Sequence, residues 1–181
     1  MAEIKKNENI RTLVETALLI AMALILGEVK LFKMPLGGSV HPAAMLPLVL
    51  IGLRRGPKWG FLGCFAYSLL HMVIGGLEGL TIWSVLLDYV LAYTCIGVTG
   101  FFMGKKNSLW ISMPIAVAAR FVFSYIAGVT IWAAYTPEGW NPWVYSFAYQ
   151  LAYLVPELAL MFLVAFAMRL AWPRILDTEV K

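Results

Sequence analysis

Between residues 109 and 135 the chain runs through 27 residues with one charge, Arg120. The stretch 82–103 also holds one, Asp88, and 143–172 holds two, Glu157 and Arg169. Crossing a bilayer as a helix takes about 20 predominantly apolar residues, so each stretch is long enough to span. An ionised side chain in hydrocarbon costs about 2.5–3.5 kcal/mol on insertion scales, so these charges belong on faces hidden from lipid. The chain is 61% hydrophobic and 13% charged, where soluble domains carry about a quarter charged residues.

Six apolar segments are expected, at 10–31, 42–53, 58–77, 82–103, 109–135 and 143–172. The second is short and carries Pro42 and Pro47, so a tilted, broken or partly re-entrant helix surrounded by protein is predicted there. With both termini in the cytoplasm, Lys5, Lys6, Arg11, Arg54, Arg55, Lys58, Lys105, Lys106, Arg169, Arg174 and Lys181 fall inside, and only Lys30 and Lys33 outside. That bias fits an even number of spans. The predicted fold is therefore an all-α membrane protein of six transmembrane helices, a single integral-membrane domain over residues 1–181 with both termini cytoplasmic. Residues 13–27 could pass for a signal peptide, but no small-residue cleavage site follows them, and they read as a retained first helix.

Several function classes drop out. The net charge of +4 sits at segment ends and forms no basic, aromatic stripe, so no nucleic acid is expected as a partner. Cys64 and Cys95 lie apart within apolar segments without clustered histidines, so neither a metal nor a cofactor is expected. The G-x-x-x-x-G-K-[ST] loop is absent, and no long internal repeat suggests an inverted-repeat transporter. Ser68 and His71, at i and i+3, are the minimum for a nucleophile and its base, but no orienting acid accompanies them. A small intramembrane enzyme is the alternative of another class; the expectation is that the protein is not an enzyme.

A ligand pocket is the better reading. Asp88 and Tyr89 lie inside the fourth segment, where the acid can neutralise a cation and the tyrosine offers a stacking face. An ion pair between Asp88 and Arg120 is the structural alternative. Arg120, Ser124 and Gly128 recur at four, so they share one helix face, which Trp132 extends. Tyr145, Tyr149 and Tyr153 repeat that spacing in the last segment, with Ser146, Gln150 and Glu157 close by. Gln150 can both donate to and accept from the edge of a nitrogen heterocycle. Glu157 reads equally as a partner for a buried polar group or as a second acid of the site. The outer loops, Lys33 to His41, Gly75 to Gly79 and Thr136 to Pro142, are rich in Gly, Pro and Trp and look like lids. Ala17 and Ala21, with Ala23 nearby, make a small-residue face for another helix, and Gly100 to Gly104 a second.

In their order and spacing, Met34-Pro35-Leu36-Gly37-Gly38-Ser39-Val40, Leu53-Arg54-Arg55-Gly56, Leu86-Leu87-Asp88-Tyr89, Ile126-Ala127-Gly128, Pro137-Glu138-Gly139, Trp143-Val144-Tyr145-Ser146 and Tyr153-Leu154-Val155-Pro156 resemble one family. It is the S-components of energy-coupling factor (ECF) vitamin transporters, and within them the thiamine-binding ThiT family. The resemblance covers nearly the whole chain. It implies a six-helix bundle in the prokaryotic plasma membrane that captures thiamine from outside. A transmembrane coupling subunit and two ATPase subunits would drive release inwards. It places the pocket acid on Asp88, its neighbouring aromatic on Tyr89, the basic residue on Arg120, the glycine on Gly128 and the stacking aromatic on Trp132. The tyrosine of the last helix falls on Tyr145, and Ala17-x-x-x-Ala21 matches the docking motif for the coupling subunit. Two positions depart: Ser124 stands where the family usually has a histidine, and Gln150 where it usually has an asparagine. His41 is the candidate to replace the missing imidazole. A thiamine precursor or another nitrogen heterocycle is the alternative ligand for the same architecture.

Overall fold

The computed structural model describes residues 2–34, 38–76 and 81–171, with side chains from Asn7 onward. Pro35-Leu36-Gly37 of the outer-loop motif, residues 77–79 of the next turn, and Arg174 and Lys181 of the charge count lie outside the described residues. Five helical elements carry the fold: α1 (Ala2–Glu28), α2 (Met45–Gly75), α3 (Ile82–Phe102), α4 (Ser108–Thr130) and α5 (Pro142–Ala171). Two short strands, β1 (Phe32–Lys33) and β2 (Ser39–Val40), pair antiparallel between α1 and α2.

Four of these helices are long and apolar enough to cross a membrane: Asn7–Glu28, Ile82–Phe102, Ser108–Thr130 and Pro142–Ala171. They leave large apolar side chains uncovered, including Ile25, Ile82, Leu163 and Leu170, as lipid-facing helices do. The second and third expected segments run together as α2, which turns at Gly56. That residue has φ 80° and ψ 179°, a left-handed φ open to glycine at little cost, and Pro57 restarts the helix after it. The two arms cover residues 45–55 and 57–75.

The break therefore falls at Gly56 and not at Pro47. Pro47 sits in the helix's first turn, where its missing N–H would have had no intrahelical acceptor. Residues 45–53 of the first arm are all buried, so this short helix is apolar on every side because protein surrounds it. Small residues let α2 and α3 meet backbone to backbone. A Cβ on Gly100 would stand 2.4 Å from Pro57 Cα, and one on Gly97 would stand 2.6 Å from Phe61 Cα. Gly100, read as part of a small-residue face for another helix, meets that helix inside the fold. Cys64 is buried in the same packing and Cys95 half-buried.

α3 is not a uniform helix. It passes through a π-helical stretch, Val85–Leu91, and ends as a 3₁₀ helix, Cys95–Phe102. The wider π turn contains Asp88 and Tyr89, a distortion often found at functional sites.

Candidate functional site

The helix ends nearest the β-hairpin enclose a cavity of about 160 Å3. All ten residues expected to touch ligand line it, although they come from five separate parts of the chain. His41 comes from the loop before α2, Asp88 and Tyr89 from the π stretch of α3, and Arg120, Ser124 and Gly128 from one face of α4. Trp132 comes from the 3₁₀ turn Trp132–Tyr135, and Tyr145, Ser146 and Gln150 from α5.

Asp88 is oriented by Trp132, whose indole Nε1 donates to Oδ2 at 2.9 Å. The alternative reading, an Asp88–Arg120 ion pair, is not what forms: Arg120 pairs with Glu157. Arg120 lies against Glu157, with Nη1 to Oε2 at 3.5 Å, and Glu157 is fully buried. Arg120 also donates to the Tyr93 hydroxyl at 3.2 Å and to Met45 Sδ at 3.3 Å, with its guanidinium 4.6 Å from the Tyr93 ring centroid. Glu157 is thus a charge partner beneath the cavity and not one of its lining residues. The Arg120 Nε and Glu157 Oε1 are buried without a hydrogen-bond partner among the described residues.

The hairpin closes one side. Gly38 N–H donates to the Tyr149 hydroxyl on α5 at 2.8 Å, and a Cβ on Gly38 would stand 2.7 Å from that oxygen. His41 bonds through Nε2 to Ser39 Oγ at 2.8 Å and through Nδ1 to the Val29 carbonyl at 3.3 Å. It therefore lines the cavity with both ring nitrogens in hydrogen bonds. Burial and the positive charge of Arg120 lower its pKa to about 4, so the imidazole is neutral at pH 7.

Sequence reasoning missed part of the lining. Glu28 and Lys30 reach it from the end of α1 and His71 from the end of α2, where Gly75 and Gly76, part of a loop read as a lid, line it as well. Tyr93 joins from α3, where its spacing of four from Tyr89 was the available signal. His71 stacks on Tyr67 at 5.5 Å and packs edge-on against Tyr93 at 5.2 Å. Its Nδ1 is buried without a partner among the described residues. The Ser68 hydroxyl donates to the Phe65 carbonyl at 2.7 Å, so the Ser68–His71 nucleophile and base are not assembled. Tyr149 and Tyr153, read as a stripe, both line the cavity. Ala17 and Ala21 are exposed on α1 beside Leu18 and Ile25, whereas Ala23 is buried.

Chemically, the cavity offers the oriented Asp88 carboxylate and that of Glu28, the basic side chains of Lys30 and Arg120, several aromatic faces and a few amide and hydroxyl groups. That set has the chemistry to suit a small polar aromatic molecule. Among the described residues no cluster of three His, Cys, Asp or Glu could hold a metal ion.

The family model described as thiamine transporter protein (Thia_YuaJ) matches residues 13–177. The thiamine transporter ThiT of Bacillus subtilis (strain 168) is 31% identical over 182 residues, covering 92% of this chain and 94% of that one. ThiT of Lacticaseibacillus paracasei is 26% identical over 118 residues, 56% of this chain and 59% of its own. Among solved structures, ThiT from Listeria monocytogenes superposes with a TM-score of 0.82 at 23% identity, covering 92% of this chain and 97% of that one. The S component of a bacterial ECF transporter superposes at 0.63 and 16% identity, covering 93% and 99%. These two share the fold. On the match over residues 13–177, the chain belongs to the thiamine transporter protein (Thia_YuaJ) family, a family of multi-pass plasma-membrane proteins.

Proposed function

We propose that this protein is the substrate-binding S-component of an ECF-type importer and that its ligand is thiamine. The observation that carries this is Asp88, a carboxylate held by an indole N–H inside a cavity with aromatic walls. Thiamine joins a permanently cationic thiazolium to a flat aminopyrimidine. Asp88 offsets the cation in a low-dielectric site, while Trp132, Tyr89 or Tyr145 supply stacking faces. Arg120, Ser124, Gly128, Ser146 and Gln150 complete the contacts in this reading.

The two arms of α2, counted separately, make six spans with both termini in the cytoplasm and the cavity on the outside. The chain has no P-loop of its own, so uptake draws on a transmembrane coupling subunit and two ATPases. Ala17 and Ala21 dock on the coupling subunit. Their exposure beside bulky apolar neighbours on α1 supports close helix approach.

One observation favours a second reading in the same architecture. Ser124 and Gln150 both line the cavity, and by the resemblance they stand where the family usually has a histidine and an asparagine. A thiamine precursor or another nitrogen heterocycle is that second ligand class. Calorimetric titration of thiamine into the detergent-purified chain decides between them. Saturable one-to-one binding supports thiamine; a folded sample that does not bind it, but binds another heterocycle, moves the assignment. Affinity unchanged in His41→Ala would exclude that residue as the replacement imidazole.

A further inference from the structure

Glu15 is the only charged residue between Arg11 and Glu28, inside the apolar run of α1. Each of its carboxylate oxygens meets a different arginine from the end of the first arm of α2. Oε1 lies against Arg54 Nε, and Oε2 accepts from Arg55 Nη2. The side chains of Glu15, Arg54 and Arg55 are 20%, 34% and 24% exposed, so the cluster is partly shielded from its surroundings. Gly56 ends the arm directly after them.

The rest of the seam between α1 and the bundle is thin. Its buried residues are Thr12, Thr16, Ile20, Ala23 and Gly27, mostly small, while Leu13, Leu18, Met22 and Ile25 stay exposed. In a bilayer an apolar side chain gains little by leaving lipid for another helix, so such a seam holds α1 weakly. Lipid offers no substitute for an ion cluster. The cluster joins this peripheral helix to the arm whose residues 45–53 are all buried. We infer that Glu15 is a positioning residue for assembly: through Arg54 and Arg55 it fixes α1 on the buried arm, so that Ala17 and Ala21 meet the coupling subunit on a helix already in place. Without the cluster, docking must also order α1, which weakens association. This rests on the docking reading above and adds the residue that prepares it. Glu15 lies outside the cavity lining, so thiamine binding is a separate readout.

The test titrates the full-length, detergent-purified chain with a purified coupling module of transmembrane subunit and two ATPases, with thiamine calorimetry on the same samples. Glu15→Gln weakens association with the module by about fivefold, the scale of one ordering cost moved from folding into association, and leaves thiamine affinity unchanged. Arg54→Gln combined with Arg55→Gln does the same, and adding Glu15→Gln to that pair weakens association no further, because the three act as one unit. The arginine variant carries the comparison whether or not Glu15→Gln folds. Unchanged association in a folded variant overturns the assignment. So does a loss of thiamine affinity in proportion to the loss of association, since the cluster would then hold the whole fold and not α1. Wild type that binds thiamine but not the module fails differently: it overturns the docking reading itself, and this assignment with it.

Discussion

Trp132 and Asp88 lie 44 residues apart in sequence, yet the indole Nε1 reaches the carboxylate at 2.9 Å. The contact ties the 3₁₀ turn after α4 to the π stretch of α3 across the cavity. It also orients the acid that, in the proposed function, faces a cationic ligand. Asp88→Asn keeps the shape and removes the charge. It should weaken thiamine by about 1–3 kcal/mol and a neutral analogue far less, because only the cation loses a charge partner. Parallel calorimetry of the two ligands checks this, and equal losses would rule out charge pairing.

Arg120, which lines the cavity, and Glu157, which does not, form a buried pair whose strength depends on both members being present. Glu157→Ala leaves a guanidinium with its main countercharge gone, and removing one partner of a buried pair costs about 3–5 kcal/mol. Arg120→Met together with Glu157→Ala removes both charges and should recover much of that loss. Thermal unfolding in detergent reads the difference. A double variant no more stable than Glu157→Ala would mean that the pair is not the source of the effect.

How much of this was legible in the chain depends on the distance over which each signal acts. Asp88 and Arg120 were visible because a charge inside a long apolar segment is costly wherever the helices go. Spacing by four placed Arg120, Ser124 and Gly128 on one face, and they do line one cavity. Which charge meets which was not legible. Arg120 turned to Glu157 and Tyr93, because partner choice depends on how α3, α4 and α5 cross. Pro47 drew attention as a breaker and was harmless in a first turn, while Gly56 broke the helix through its φ. Gln150 Nε2 donates to the Ser124 main-chain carbonyl on α4 at 2.9 Å, and residue type alone carries no trace of such a bond.

The Gly38–Tyr149 contact holds β2 to α5 with little clearance. A methyl group at Gly38 would fall 2.7 Å from the tyrosine oxygen and 3.0 Å from Cζ, closer than such atoms approach. Gly38→Ala should therefore displace the hairpin and speed ligand dissociation. Tyr149→Phe removes the clashing oxygen along with the hydrogen bond. In that background Gly38→Ala should cost less than in wild type, a coupling that a double-mutant cycle on dissociation rates would detect. Additive effects would show that the two residues act independently.

The hairpin also carries a pH dependence whose sign follows from His41. Burial first, and then the charge of Arg120, hold its pKa down from 6.5 to about 4, although the bond to Val29 works in the opposite direction. The neutral ring fits the observed contacts: Nδ1–H donates to Val29, and Nε2 accepts from Ser39. A lowered folded-state pKa means that the unfolded chain takes up the proton more readily. The stabilisation is then complete above pH 6.5 and lost as pH falls from there towards 4. Comparing wild type with His41→Gln isolates this contribution from other groups that titrate. The gap in unfolding temperature between the two should be widest near pH 7 and shrink by pH 4.5. A gap constant across that range would mean that protonation of His41 is not linked to folding, and that its bonds to Ser39 and Val29 tolerate the charged ring.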